Sequence, residues 1–267
     1  MRNAIYQYWD GSPSKGSDAG QRAMKVYADR IDADYIYEDN PKFVTNLGQY
    51  SPHYGGFKPL FDPQFDNYDY ILFADTDVWP VEHLDTNIFD QFYDTNTEIG
   101  ICEEWIQPQM RKTTNVGGIN AANDNKWANL IESQYSIKVP RTPDGDVKVY
   151  NSGVVVYSKQ GRLKAQQHFV DFKRYVGMIQ SAGLPSFYTC DQTYLHAMLD
   201  VCNFNWTVMD YKWNSSVFYK PGTTGIRPVV DLRNGANFVH IQLNGKHHKD
   251  AETLWRVTNL SVDQWKL

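Results

Sequence analysis

The chain has 267 residues, 42% of them hydrophobic and 21% charged, a make-up that suits one large soluble α/β domain. A formal net charge of −5 supplies no broad basic field for a phosphate backbone, so nucleic acid is disfavoured as a partner except through a locally basic groove. No run approaches the ~18 apolar residues that cross a bilayer, so no transmembrane segment is expected.

In chain order, residues 4–9 read as a first strand, closed by the turn cluster Asp10-Gly11-Ser12-Pro13. Residues 17–31 carry Ala19, Ala23, Val26, Tyr27 and Ile31 at near-helical spacing, with Ser17 or Asp18 as N-cap. Tyr35 to Tyr37 is a short second strand. His53 to Phe61 reads as a helix leading into an apolar third strand at 70–74. This β-α-β-α-β order predicts a parallel sheet with right-handed crossovers. Ile99 to Cys102 is a further strand, and the polar stretch 103–126 is expected as a long loop or excursion of functional length. A helix over 126–137, a turn-rich loop at 140–146 and a strand from Val149 to Tyr157 follow. Leu163 to Ile179 reads as one amphipathic helix and Cys190 to Leu199 as another, with late strands at 206–210 and 238–241. No repeat or low-complexity linker divides the chain. The start of the chain enters a strand at once, with no basic-then-apolar leader. Three cysteines (Cys102, Cys190, Cys202) without C-x-x-C spacing predict free thiols in a reducing, cytoplasmic compartment. The sequon Asn214-Ser-Ser216 is then incidental. An aromatic content of 15%, with 18 Tyr and 8 Trp, fits either a Tyr-rich core or a surface for stacking sugars or bases.

Four segments carry chemistry. Tyr70-Ile-Leu-Phe-Ala-Asp75-Thr-Asp77 is a buried-strand pattern ending in two carboxylates. If the strand continues, Asp75 and Asp77 point the same way, just outside the carboxyl end of the sheet. Two convergent carboxylates repel unless a cation lies between them, and a divalent metal that also bridges a phosphate fits that position. Trp79-Pro80 is expected to stop the strand. In Asn151-Ser152-Gly153 the glycine permits close approach, and the asparagine offers both donor and acceptor to hydroxyls. Asp191-Gln192 opens a helix, where capping is the ordinary role of the aspartate. Phe238-Val-His240 runs into Gly245-Lys246, whose lysine is a candidate point charge for a diphosphate.

Taken together and in this order, the four segments resemble the GT-A-fold glycosyltransferases. The resemblance is strongest to the retaining group that contains glycogenin and the lipopolysaccharide galactosyl- and glucosyltransferases, glycosyltransferase family eight. It runs from the first strand to about Lys246 and is densest from Tyr54-Gly-Gly-Phe-Lys-Pro-Leu-Phe61 through Asp77. Met209 to Asn214 is similar to the family segment that precedes the last core strand. The resemblance implies a mixed, mostly parallel sheet flanked by helices in a single domain spanning 1–267. A donor-binding half would cover about 1–100, an acceptor- and sugar-binding half about 101–250, and a C-terminal helix about 251–267.

It also implies transfer of a hexose, with retention, from a nucleotide diphosphate sugar (a UDP-hexose foremost) to the hydroxyl of a glycan or other acceptor. Carried over, Asp75, Asp77 and His240 would hold Mn²⁺ or Mg²⁺; the nitrogen ligand favours manganese. Tyr8 and Asp10 would hold the nucleoside, Lys58 and Lys246 the diphosphate beside Gly245, and Asn151, Ser152, Gly153, Asp191 and Gln192 the donor sugar. Gln192, with Asp191, would support an oxocarbenium-like state electrostatically.

The family's last motif reads His-x-x-Gly-x-x-Lys-Pro-Trp. Here the glycine comes two residues late, Lys246 follows it directly and Pro-Trp is absent, which makes His247 an alternative to Lys246. Glu103 or Glu104 is the candidate second sugar-facing carboxylate, and the Trp105–Asn125 stretch the candidate acceptor loop. Three other readings stay open: an inverting enzyme with Glu103 or Asp191 as base, a sugar nucleotidyltransferase, and a non-catalytic nucleotide-sugar binding module. The nucleotidyltransferase is disfavoured because Gly11 to Gly16 lacks the arginine of a phosphate loop.

Overall fold

Three strands, Asn3–Trp9 (β1), Asp34–Asp39 (β2) and Tyr70–Ala74 (β3), run parallel with β1 in the middle, as the alternation of strand and helix predicts. The computed structural model describes residues 1–12, 14–219, 226–228, 235–242, 250–261 and 264–265. The other half of the main sheet is mixed. Tyr150–Ser158 (β6) lies antiparallel to β3, Ile99–Glu103 (β5) antiparallel to β6, and Trp206–Met209 (β7) parallel to β5. The six-stranded order is β2-β1-β3-β6-β5-β7. Strand β6 is buried along its whole length, as expected of a central, valine-rich strand covered on both faces.

A second, four-stranded sheet is built from Val78–Pro80 (β4), Phe238–Gln242 (β10), Ser215–Tyr219 (β8) and Ile226–Pro228 (β9), in the order β4-β10-β8-β9. Trp79-Pro80 therefore begins a new pairing rather than closing β3. Proline is tolerated there because β4 is an edge strand, with Pro80 opposite Phe238. Within three residues, 75–77, the chain passes from one sheet to the other.

Helix α1 (Lys15–Arg30) begins one turn earlier than expected. Ser14 caps it, accepting from the Ser17 amide (3.1 Å), while the Ser17 hydroxyl accepts from the Ser14 amide (2.7 Å). Its buried face is Gly20, Met24, Tyr27 and Ala28, and Val26 is exposed. A Cβ on Gly20 would lie 2.4 Å from the Thr76 carbonyl oxygen, so only glycine lets α1 sit against the 75–77 segment. The stretch 48–57 is 3₁₀ rather than α, and only Lys58–Phe61 (α2) is α-helical, in keeping with Gly48, Pro52, Gly55 and Gly56.

After the short helix α3 (Gln107–Arg111), α4 (Ala121–Tyr135) starts at the cap Asn120, so the expected loop holds one short helix and ends in the first turns of another. The single helix expected over 163–179 is two, α5 (Lys159–His168) and α6 (Phe172–Ser181). Asp171 accepts from the Arg174 amide at 2.9 Å and starts α6 afresh. Helix α7 (Asp191–Val201) and the late helix α8 (Ala251–Asn259) complete the described set.

Most of the tyrosines serve the core. Tyr54, Phe57 and Tyr194 are buried, with ring centroids 5.4–5.9 Å apart, and Phe172 packs onto all three. Cys102, Cys190 and Cys202 are free. Among the described residues, no helix is long and apolar enough to cross a membrane.

Candidate active site

The ladder of β3 continues one residue past its end: the Asp75 amide donates to the Gly153 carbonyl at 2.9 Å. The backbone then turns, with the Val78 amide donating to the Asp75 carbonyl at 3.0 Å. Asp75 and Asp77 thus converge through a turn, not through the alternation of an extended strand. Gln7 of β1 fixes that turn by donating to the Asp75 carbonyl (2.9 Å), and the Tyr35 hydroxyl donates to Gln7 in turn (2.8 Å). On the other side, the Ile241 amide donates to the Asp77 carbonyl (2.9 Å) and carries β10 alongside.

His240 Nε2 consequently lies 3.3 Å from Asp77 Oδ1 and 3.8 Å from Asp75 Oδ2. One ligand atom from each of the three residues falls within 4.8 Å of the others. Burial first, and Asp77 second, push the Asp75 carboxyl up to about 7. For His240, burial is the largest influence and opposes the charge. Asp77, its hydrogen bond and Asp75 together outweigh burial and raise the imidazole to about 9. Two crowded carboxylates and one imidazole nitrogen form a donor set that could hold a divalent metal ion.

A cleft of about 330 Å³ opens on this floor, lined by Tyr8, Asp75, Ser152, Gly153, Asp191, Gln192 and His240, with Tyr50, His53, Ser186, Phe187 and Gln242 also facing it. The Tyr8 ring stacks on Phe73 (5.9 Å) and its hydroxyl donates to the Pro52 carbonyl (2.6 Å). Gly55 makes room for that ring, since a Cβ there would lie 2.5 Å from it. Asp191 is the first residue of α7 rather than its cap, and its carboxylate accepts from the Ser152 hydroxyl at 2.8 Å. Burial raises the Asp191 pKa, while the bond from Ser152 and the charge of His53 pull it down.

Other expected residues are engaged elsewhere. Asn151 lines the cleft but is buried and has inward partners. Its Oδ1 accepts from the Gly153 amide and from Asn214 Nδ2, both at 2.8 Å, and its Nδ2 donates to Glu104. It is therefore a support for the floor, not a free sugar-facing amide. Lys58 does not line the cleft: its ammonium donates to both carboxylate oxygens of Glu38 (2.6 and 2.8 Å), with Asp62 at 3.5 Å. Asp10 also lies off the lining and pairs with Lys42 at 3.0 Å. Glu103 pairs with Lys148 at 2.9 Å. Gly245, Lys246 and His247 lie outside the described residues.

Three residues of the site had no role assigned from the sequence. Asn214 accepts from, or faces, His240 Nδ1 at 3.0 Å; Gln7 fixes the turn; and Gln242 Nε2 lies 3.4 Å from His240 Nε2. A polar residue in the middle of a buried strand, such as Gln7 in Ala4-Ile-Tyr-Gln-Tyr8, was the available signal for one of them.

No protein-family model matches the chain, and no curated protein matches it in sequence. Solved structures do match. A glycosyltransferase involved in glycosylation of the major capsid of PBCV-1 aligns with a TM-score of 0.51 at 13% identity, over 90% of this chain and 92% of that one. An active-site mutant of LgtC aligns at 0.52 and 13% identity, over 95% and 94% of the two chains. Apo mouse xyloside xylosyltransferase 1 aligns at 0.50 and 12% identity, over 93% and 98%. The chain has the GT-A glycosyltransferase fold. In this GT-A fold the 75–77 turn, the start of β6 and the N-terminus of α7 border one cleft.

Proposed function

We propose that this chain is a single-domain, metal-dependent glycosyltransferase that moves a hexose from a nucleotide diphosphate sugar to an acceptor hydroxyl with retention. UDP is the nucleotide we favour, Mn²⁺ the ion and the cytoplasm the setting, the last because the cysteines are free thiols. The observation that carries the reading is the convergence of Asp75, Asp77 and His240, two of which, Asp75 and His240, line a cleft that also holds Ser152, Asp191 and Gln192.

When bound, the ion supplies charge stabilisation to a departing diphosphate. The chain's own residues do the rest. The face of Tyr8 offers a stacking surface for the nucleobase, on a ring already held from behind by Phe73. The Ser152–Asp191 pair supplies acceptors for sugar hydroxyls at the start of β6, where Gly153 leaves room for the His240 ring. The Gln192 side chain stabilises positive charge developing at the anomeric carbon. Gly245 and Lys246 retain the diphosphate role that the resemblance gives them, and the loop around Trp105 that of acceptor contact. Lys58 and Asp10 drop out of the donor set.

Incubation with a panel of sugar nucleotides and Mn²⁺ tests the proposal. Slow, metal-dependent hydrolysis of one UDP-hexose to UDP and free hexose is expected, and proton NMR of the hexose, read before it mutarotates, should show the donor's anomeric configuration. Pyrophosphate release from a nucleoside triphosphate would instead establish a nucleotidyltransferase. Metal-dependent binding without turnover of any donor would establish a binding module.

A further inference from the structure

We infer that Asn214 is a positioning residue that fixes the hydrogen of His240 on Nδ1 and so reserves Nε2 for the metal. The inference rests on the metal reading above and goes beyond the ligand set. The chain of bonds behind His240 has a polarity that can be read from groups whose roles cannot reverse.

A backbone N–H only donates, so Asn151 must present Oδ1 to the Gly153 amide, 2.8 Å away. The opposite end of the same side chain, Nδ2, points at the Glu104 carboxylate, which accepts. Both observations orient Asn151 the same way. Its Oδ1 also faces Asn214 at 2.8 Å, and two carbonyl oxygens cannot bond, so Asn214 answers with Nδ2. That choice leaves Asn214 Oδ1 against His240 Nδ1 at 3.0 Å. A carbonyl oxygen cannot donate. Nδ1 therefore carries the ring hydrogen, and Nε2 is left to face the carboxylates.

Nε2 is the atom that faces both carboxylates, at 3.3 and 3.8 Å. Asn214, Asn151 and His240 are each no more than 2% exposed, so in the native chain their bonds are made to one another and not to bulk water. The arrangement is that of a metal-ligating histidine whose second nitrogen is held by a polar partner. The sequence separations are long, 63 residues from Asn214 to Asn151 and 47 from Asn151 to Glu104, so the device exists only in the folded chain. Burial of Asn214 also excludes glycosylation at the Asn214-Ser-Ser216 sequon in the folded protein.

Titration of the intact chain with Mn²⁺ alone, followed by the electron paramagnetic resonance of the free ion, tests this. Asn214→Ala should weaken Mn²⁺ binding by about 10- to 100-fold. In the native chain loaded with diamagnetic Cd²⁺, ¹⁵N NMR of His240 should show a protonated Nδ1 and a coordinated Nε2. Native-like affinity in Asn214→Ala, or coordination through Nδ1, would each overturn the positioning role alone. Failure of the native chain to bind Mn²⁺ would overturn the metal reading and this inference with it. If Asn214→Ala does not fold, the NMR of the native chain decides.

Discussion

The ring cluster of Tyr54, Phe57 and Tyr194 and the polar cluster of Glu104, Asn151, Asn214 and His240 are both shut off from solvent, yet they depend on opposite kinds of contact. The rings meet through non-directional burial and edge-on packing, which stabilise the fold whatever the cleft contains. The polar cluster depends on direction: each donor has one acceptor, and the last link ends at a nitrogen facing two carboxylates. Burial alone therefore does not say what a residue is for. A substitution among the rings should cost stability, whereas one on the cleft floor should cost ligand binding.

The largest effect expected is on stability. Phe57→Ala should lower the unfolding free energy by about 3–5 kcal/mol in denaturant titrations, with Mn²⁺ affinity of the folded fraction unchanged. Weakened metal affinity in folded Phe57→Ala would blur the separation. Next comes Asp77→Asn, which keeps the shape and removes one like charge. Mn²⁺ affinity should drop by at least about 100-fold, about 2.7 kcal/mol, while the melting temperature without metal stays level or rises. A cooperative loss of stability would instead make Asp77 a structural residue.

Gly153→Ala probes the boundary between the clusters, because its Cβ would meet His240 Cε1 at 2.4 Å, Nδ1 at 2.8 Å and Asn151 Oδ1 at 2.9 Å. It should weaken Mn²⁺ binding by about ten-fold and cost about 1–3 kcal/mol of stability, since the displaced groups are a metal ligand and its support.

The smallest effect is in pH. Asp75 and His240 both hold their protons more tightly in the folded, metal-free chain than when unfolded, releasing them near about 7 and about 9. The folded state thus binds the extra protons. Stability without metal is greatest below the unfolded values and declines as pH rises through the folded ones. Mn²⁺ displaces those protons, so its affinity should grow over the same interval. Melting curves with and without Mn²⁺ between pH about 6 and about 8 should diverge as pH rises, and Asp77→Asn should reduce the divergence.

Much of the main sheet could be read along the chain because its signals are local. The apolar run 70–74, the valine run of β6 and the strand–helix alternation of the first half each carry their own pattern. Misreadings arose where a local signal was outvoted or a partner lay far away. Asp171 restarts a helix inside an unbroken apolar period, and Ser14 caps one turn before the serine that the pattern suggested. Lys58 looks free in sequence, but strand pairing brings Glu38 against it from 20 residues away. At the site, the types of the three metal-ligand candidates were legible and their convergence was correct, although a turn and not an extended strand produces it. The role of Asn214 was not, because it depends on β8 and β10 lying side by side.

The most direct test of the account is calorimetric titration of UDP into the native chain with and without Mn²⁺. Binding should require the metal and disappear in Asp77→Asn. Equal UDP affinity with and without Mn²⁺ would contradict the assignment of Asp75, Asp77 and His240 as the clamp for a nucleotide diphosphate.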